Sequence, residues 1–164
     1  MDFVAIDFET AVGHDSICAV GIVTVENGEV VEEYSQLIQP PDNRYTIYTT
    51  RVHGLTSRDT ADAPTFPEVY PEIKRRLRGK VVVAHNEKFD RPALQKTMTR
   101  HGLCYSDLEL ADRWECTVRL YRAAGYSPCD LGTLCQQHNI ELNHHEALSD
   151  ARACAKLYLI IGGL

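Results

Sequence analysis

Residues 3–10 form an apolar run, Phe-Val-Ala-Ile-Asp-Phe-Glu-Thr, that contains two acidic residues. A run this apolar predicts a strand buried at the centre of a sheet. Side chains at positions i and i+2 of a strand point to the same face, so Asp7 and Glu9 should project together. Two buried like charges repel each other unless a proton or a cation intervenes. The run therefore predicts a central strand that carries a cation site.

Further strands are indicated on both sides of the sheet. Residues 17–25 and 30–38 are β-rich runs, and Asn27-Gly28 between them is typical of a tight hairpin. The first three strands should therefore form a meander. Residues 81–84 predict another buried strand, which leads into a helix over residues 89–101. This second pattern indicates a strand-to-helix crossover.

Capping residues and apolar spacing predict the other helices. Thr56 and Asp59 have capping-box spacing for a short helix. The next helix should begin near Thr65 and end at Gly79, with Pro71 kinking or restarting it. The remaining three helices are predicted over residues 117–124, 130–138 and 146–161.

Composition bounds the class of protein. A chain of 164 residues predicts one domain over residues 1–164. Its six cysteines form no Cys-x-x-Cys pair, and there is neither a secretory signal nor a long apolar span, so we expect a reduced cytoplasmic protein without structural zinc. The 17 basic against 23 acidic residues argue against bulk electrostatic coating of nucleic acid, although metal-binding acids would account for part of this excess.

Three further residues complete a chemical constellation. His145 and Asp150 are five residues apart, which does not place them on one helical face, so His145 should lie in the loop or first turn before the helix of Asp150. The acid can then bind a metal, while a neutral imidazole takes a proton from water. Asp90 falls at a helix start, where we expect it to stay charged at neutral pH.

Each acid also has a purely structural interpretation. Asp7 could end a strand, Glu9 could pair with an arginine, and Asp90 could serve as a helix-start residue. The four acids together fit two-metal phosphodiester cleavage, in which cations about 3.5–4 Å apart activate water and stabilise the departing oxygen. Hard oxygen ligands favour Mg²⁺ or Mn²⁺, and the histidines lack the spacing of a zinc protease.

In these motifs the sequence resembles the DEDDh branch of the 3′-to-5′ exonuclease superfamily, and it is similar to the proofreading epsilon chain of bacterial DNA polymerase III. The resemblance is carried by residues 7–10, 52–56, 82–90 and 145–150. It implies an RNase H-like α/β fold, in which helices flank a mixed five-stranded sheet whose first three strands are antiparallel.

The resemblance also implies a role for each site residue. Asp7 would bridge two divalent cations, Mg²⁺ or Mn²⁺, while Glu9 and Asp150 complete the ligands of the catalytic ion. Asp90 would support the second ion, and His145 would be the general base. Contacts to the terminal nucleotide are expected from four residues: Phe8, Thr10, Asn86 and Phe89.

The implied function is release of nucleoside 5′-monophosphates from the 3′ end of single-stranded or frayed DNA. Two alternatives stay open: an RNA-directed enzyme of the same superfamily, and a catalytically silent module that binds nucleic acid or a polymerase. Partners would be DNA or RNA 3′ ends, with a DNA polymerase or another replication or repair protein, and no membrane. The chain ends soon after its last helix, so we expect a stand-alone exonuclease domain. Glu87 departs from the small residue usual in the family and would add a charge near the entering strand.

Overall fold

A computed structural model describes residues 1–163 of the chain. The strands are β1 (Phe3–Thr10), β2 (Ile17–Glu26), β3 (Glu29–Leu37), β4 (Val82–Ala84) and β5 (Glu115–Cys116). They form one mixed sheet in the order β3-β2-β1-β4-β5. β2 pairs antiparallel with β1 and β3, and β4 pairs parallel with β1 and β5. The α/β fold, with its meander of three strands, is therefore as predicted, and β1 is the central strand.

The hairpin between β2 and β3 has the turn that its sequence predicts. Asn27 and Gly28 both have positive φ, 53° and 81°. A two-residue turn with left-handed backbone at both positions matches the twist of antiparallel strands, and asparagine and glycine are the residues that tolerate it. The register of β1 against β2 places Asp7 opposite Gly21.

In the described part of the chain, six α-helices flank the sheet. They are α1 (Ile47–His53), α2 (Phe66–Leu77), α3 (Glu87–Arg100), α4 (Thr117–Ala123), α5 (Leu131–Gln137) and α6 (Ala147–Gly162). The predicted bounds of α4, α5 and α6 agree with these to within a residue or two, and α3 begins two residues earlier than expected. Within residues 1–163, no helix combines the length and the apolar content that crossing a bilayer would require.

The short helix predicted at Thr56 is wrong. The Asp59 carboxylate does accept the backbone N–H of Thr56 at 2.7 Å, but the bond holds a turn and not a helix. The helix of this region is α1, which the Thr46 hydroxyl caps by accepting the N–H of Thr49 at 3.2 Å. None of the residues of α1 is buried, so it has no apolar stripe by which the sequence could reveal it.

Of the kink or restart expected at Pro71, the restart does not occur, because α2 is continuous from Phe66 to Leu77. Proline removes one backbone hydrogen bond in a helix interior. Val69, Ile73 and Leu77 bury against the sheet in the main core cluster, and each such side chain stabilises the fold by about 1.5–3 kcal/mol. The packing of this face therefore outweighs the missing hydrogen bond.

The two faces of β1 pack against different helices. Val4, Ile6 and Phe8 belong to the core cluster that includes residues of α2 and α3. Phe3 and Ala5 pack on the opposite face with residues of α6. By the alternation of the strand, Asp7 and Glu9 continue the row of Phe3 and Ala5, so both acids face α6.

Candidate active site

Three carboxylates meet where β1 passes α6. Asp7 and Glu9 come from the strand, and Asp150 comes from the first turn of α6. One carboxylate oxygen from each of the three lies within 4.8 Å of the others. Glu9 and Asp150 are 7% and 5% exposed, so the cluster lies at the bottom of a cavity and not on the open surface.

The close approach of α6 depends on a glycine in the neighbouring strand. A Cβ atom built on Gly21 would clash with the backbone carbonyl of Ala147 and with the amide of Leu148. Because Gly21 pairs with Asp7 in the sheet, the start of α6 can lie directly over this part of the sheet only where no side chain intervenes. Gly21 thereby allows Asp150 to reach Asp7, and sequence reasoning did not identify it.

Asp90 joins the cavity from α3 on the other side of β1. The residue is only 1% exposed, and its Oδ1 accepts the backbone N–H of Phe8 at 2.8 Å. This bond ties the first turn of α3 to β1 at Phe8, which lies between Asp7 and Glu9 in the sequence. All four acids that the sequence singles out therefore line one cavity.

Burial dominates the electrostatics of these acids. Burial, followed by repulsion from Asp90, Glu9 and Asp150, raises the pKa of Asp7 well above its usual range. Burial and the charges of Asp150 and Asp90 raise the pKa of Glu9 to about 8. The pKa of Asp90 is also raised to about 8 by burial, despite the N–H of Phe8. The expectation that Asp90 stays charged is therefore wrong for the metal-free chain, because desolvation exceeds the effect of the helix start.

The acid cluster has the character of a cation site. Within residues 1–163, the buried Oδ2 of Asp7 has no hydrogen-bond partner. A buried carboxylate oxygen without a donor is costly unless a proton or a cation satisfies it. The donors are carboxylate oxygens, which suit Mg²⁺ or Mn²⁺. The residues present thus fit divalent cations bound between Asp7, Glu9 and Asp150.

Two adjacent histidines lie at the mouth of the site. The rings of His144 and His145 stack with their centroids 3.7 Å apart. Nδ1 of His144 lies 3.1 Å from Oδ2 of Asp150, whereas His145 donates its backbone N–H to the same oxygen at 3.1 Å. His145 has a left-handed φ of 67°, which lets the loop turn its amide towards the acid. Sequence spacing drew attention to His145 and missed the side-chain contact of His144; the His-His pair was its only signal.

The surroundings of His145 favour the neutral form of its imidazole ring. Burial and the neighbouring His144 lower its pKa below the usual range. A neutral imidazole can accept a proton at neutral pH, whereas an imidazolium cannot. His145 therefore has the protonation state that a general base requires.

His53 connects α1 to the end of β1. Its Nδ1 accepts the N–H of Leu55 at 3.0 Å, so the proton is on Nε2, which lies 2.9 Å from the carbonyl oxygen of Thr10. His53 also lines a neighbouring cavity together with Glu9, His144 and His145. The bond to Leu55 holds the turn after α1, and the bond to Thr10 ties this turn to β1.

The cavity that the four acids line has a volume of about 520 Å³. Phe8, Asn86 and Phe89, three of the four residues expected to contact a nucleotide, line it. Thr10 does not; it is 6% exposed and its carbonyl bonds to His53. The wall also includes Val52, from the 52–56 motif, and residues that sequence reasoning did not single out, among them Val118, Arg122 and Leu131.

Comparison with known proteins covers nearly the whole chain. The exonuclease family model named RNase_T matches residues 4–158. The DNA polymerase III PolC-type of Caldanaerobacter subterraneus subsp. tengcongensis is 29% identical in an alignment 163 residues long, which covers 96% of this chain. The chain spans only 11% of the length of that PolC.

Two solved structures share the fold. Exonuclease X, in complex with 5′ overhanging duplex DNA, is 26% identical with a TM-score of 0.77, and the match covers 98% of this chain and 91% of that one. The nuclease domain of 3′hExo, a DEDDh family member bound to rAMP, is 16% identical with a TM-score of 0.82, over 99% of this chain and 92% of that one. The second likeness shows the fold alone, which is the arrangement of sheet and helices described above.

Proposed function

Because the chain belongs to the RNase_T exonuclease family, we propose that it hydrolyses the 3′-terminal phosphodiester bond of single-stranded or frayed DNA and releases nucleoside 5′-monophosphates. The observation that carries the proposal is the meeting of Asp7, Glu9, Asp90 and Asp150 in one cavity beside two histidines. Exonucleases of the DEDDh type use divalent metal ions, and the unpartnered oxygen of Asp7 fits such an ion.

The acids hold the cations in this proposal. Asp7, Glu9 and Asp150 would hold the catalytic ion, and Asp7 and Asp90 would hold the second. When bound, Mg²⁺ or Mn²⁺ would stabilise negative charge on the attacking and departing oxygens. Phe8, Asn86 and Phe89 would bound the terminal nucleotide, because all three line the cavity. Thr10 would contribute indirectly, because its carbonyl oxygen accepts a hydrogen bond from His53 and so holds the end of α1 beside β1.

His145 takes the proton from the attacking water. Its lowered pKa keeps the ring neutral, and its position on a loop at the mouth of the cavity gives it access to solvent. General-base catalysis of this kind contributes about 10²–10⁴-fold to the rate. Contacts to a terminal nucleotide in a cavity, and not to base edges in a groove, would leave the enzyme tolerant of sequence.

The test is degradation of 5′-labelled and 3′-labelled single-stranded oligonucleotides with Mg²⁺, with Mn²⁺ and with a chelator. We expect 5′-labelled strands to shorten stepwise from the 3′ end and 3′-labelled strands to release labelled mononucleotide, in both cases only with metal. Asp7→Asn is the control, because it keeps the shape of the side chain but removes its charge. Cleavage in the presence of the chelator, or equal activity of Asp7→Asn, would reject the proposed site.

Matched DNA and RNA strands separate the proposed substrate from its alternative. Faster shortening of RNA would assign the enzyme to RNA 3′ ends, since only RNA offers 2′-hydroxyl contacts. Strand binding without any cleavage would instead identify a catalytically silent module.

A polymerase partner is a separate part of the proposal. The PolC relative contains its matching segment within a much longer polymerase chain, which supports action beside a polymerase. Co-purification of the chain with a replicative polymerase, measured with and without primer-template DNA, tests this association; independent elution in both conditions would reject it.

A further inference from the structure

A second cavity adjoins the candidate active site. It has a volume of about 460 Å³ and lies between the start of α3 and α4. Asn86, Val118 and Arg122 line both cavities, so the two cavities adjoin at these residues. Four cationic residues line the second cavity, which we call the cationic groove: Lys88, Arg113, Arg119 and Arg122.

Glu87, the acid that lines the groove, has its charge neutralised. It is 2% exposed, and its Oε2 accepts Nε–H of Arg91 at 2.7 Å. Its other oxygen lies 3.9 Å from Arg119. The extra charge expected near the entering strand is therefore buried and paired, and it helps to hold Arg119 at the groove.

The other three cations of the groove have no such partner. Within residues 1–163, none of Lys88, Arg113 and Arg122 has a carboxylate oxygen within 4 Å. All three are exposed. The chain has a formal net charge of −6, but the groove is lined by four cations and one neutralised acid and is therefore locally positive. Its ligand should be a polyanion.

We propose that the cationic groove binds the backbone phosphates of the nucleotides that precede the terminal one in a single strand. The inference rests on the proposed function, because a strand whose 3′ end occupies the active-site cavity must leave it along a continuous path. Arg122 lines both the active-site cavity and the groove, and Arg113 and Lys88 line the groove only. Contacts to phosphates carry no base specificity, so the groove adds affinity for longer strands of any sequence.

The test measures binding and not turnover, so that it does not depend on cleavage. Anisotropy of a fluorescent single strand of about ten nucleotides is followed on the Asp7→Asn protein with Ca²⁺, across a range of salt concentrations. Lys88→Gln combined with Arg113→Gln removes two charges of the groove. Lys96→Gln combined with Lys156→Gln is the matched control, because both lysines are exposed, lie on helices and line neither cavity.

We expect the groove variant to bind the strand about 4- to 25-fold more weakly, from two exposed charge contacts of two- to fivefold each. The salt dependence of log K should fall by about 0.7 for each lost contact. The control should change neither quantity. Equal losses in both variants would overturn the proposal in favour of an effect of total charge. The measurement is repeated with a duplex that has a recessed 3′ end. If only the duplex shows the loss, the groove binds the complementary strand and the proposal is overturned.

Failure of the proposed function gives a different result. If the groove substitutions weaken strand binding as expected, but the wild-type protein releases no nucleotide with Mg²⁺ or Mn²⁺, the groove proposal is supported and the exonuclease proposal is rejected. If the wild-type protein cleaves the strand but the groove variant binds it as tightly as the control variant does, the exonuclease proposal is supported and the groove proposal is rejected.

Discussion

At the residue scale, the two adjacent histidines contact Asp150 through different atoms. His144 contacts Asp150 through its ring, and His145 does so through its backbone N–H. The ring of His145 is thereby left without a hydrogen bond to the acid. We therefore propose that His145 transfers the proton and that His144 positions Asp150.

This assignment predicts opposite kinetic effects for two substitutions. His145→Ala should lower kcat at saturating metal by about 10²–10⁴-fold while metal affinity is retained. His144→Ala should instead weaken metal affinity by about 10–100-fold, because a partner that orients a ligand is lost, and kcat should largely recover at high metal concentration. Titrating activity with Mn²⁺ for both variants makes the measurement. The reverse pattern would identify His144 as the base.

At the element scale, the start of α6 depends on one position of β2. The helix carries Asp150 and packs over Gly21, where a Cβ would clash with the backbone of Ala147. Backbone atoms cannot move aside as a flexible side chain can, so any side chain at this position must displace the helix or the strand.

Gly21→Ala should therefore lower both stability and activity. We expect unfolding to become easier by about 1–3 kcal/mol, the usual cost of overpacking, and cleavage to fall because Asp150 moves away from Asp7. Gly13→Ala is the matched control, since the nearest atom to its added Cβ lies 3.7 Å away. Urea denaturation and cleavage rates of the two variants give the comparison. If Gly21→Ala had the same stability and cleavage rate as Gly13→Ala, neither property would depend on the close packing of α6 over Gly21.

At the scale of the whole molecule, metal binding and stability are coupled through the acid cluster. Folded Glu9 and Asp90 have pKa values of about 8 without metal, whereas carboxyls in an unfolded chain have values of about 4. The folded state therefore retains protons that the unfolded chain releases, and its stability falls as pH rises through this window. The histidines 85 and 145 have lowered pKa values and produce the opposite slope below about pH 6.5.

The pH range above about 6.5 is consequently the informative one. With a chelator present, the free energy of unfolding should decrease between about pH 6.5 and 8. Mn²⁺ should remove the decrease, because it binds the deprotonated acids of the folded state only. Glu9→Gln should have a flatter slope without metal. Thermal unfolding at several pH values tests this, and a wild-type slope equal to that of Glu9→Gln would show that Glu9 is not its cause.

The sequence by itself determined the features that depend on local pattern. An apolar run with acids at i and i+2 predicted β1 and the common face of Asp7 and Glu9, and Asn27-Gly28 predicted the hairpin. The order of motifs indicated an exonuclease, and the family match confirms the exonuclease family. These inferences succeeded because a strand's alternation and a turn's backbone angles are fixed by neighbouring residues.

Tertiary structure decided what depends on distances between elements. The contact of His144 with Asp150, the clearance at Gly21 and the pairing of Glu87 with Arg91 all depend on how helices pack. The same packing reversed the expected charge state of Asp90, since desolvation depends on everything that surrounds a side chain. Helix α1 escaped prediction because it buries no residue and leaves no periodic signal. Sequence pattern thus placed each acid on its element, and only the packing of those elements made them one site.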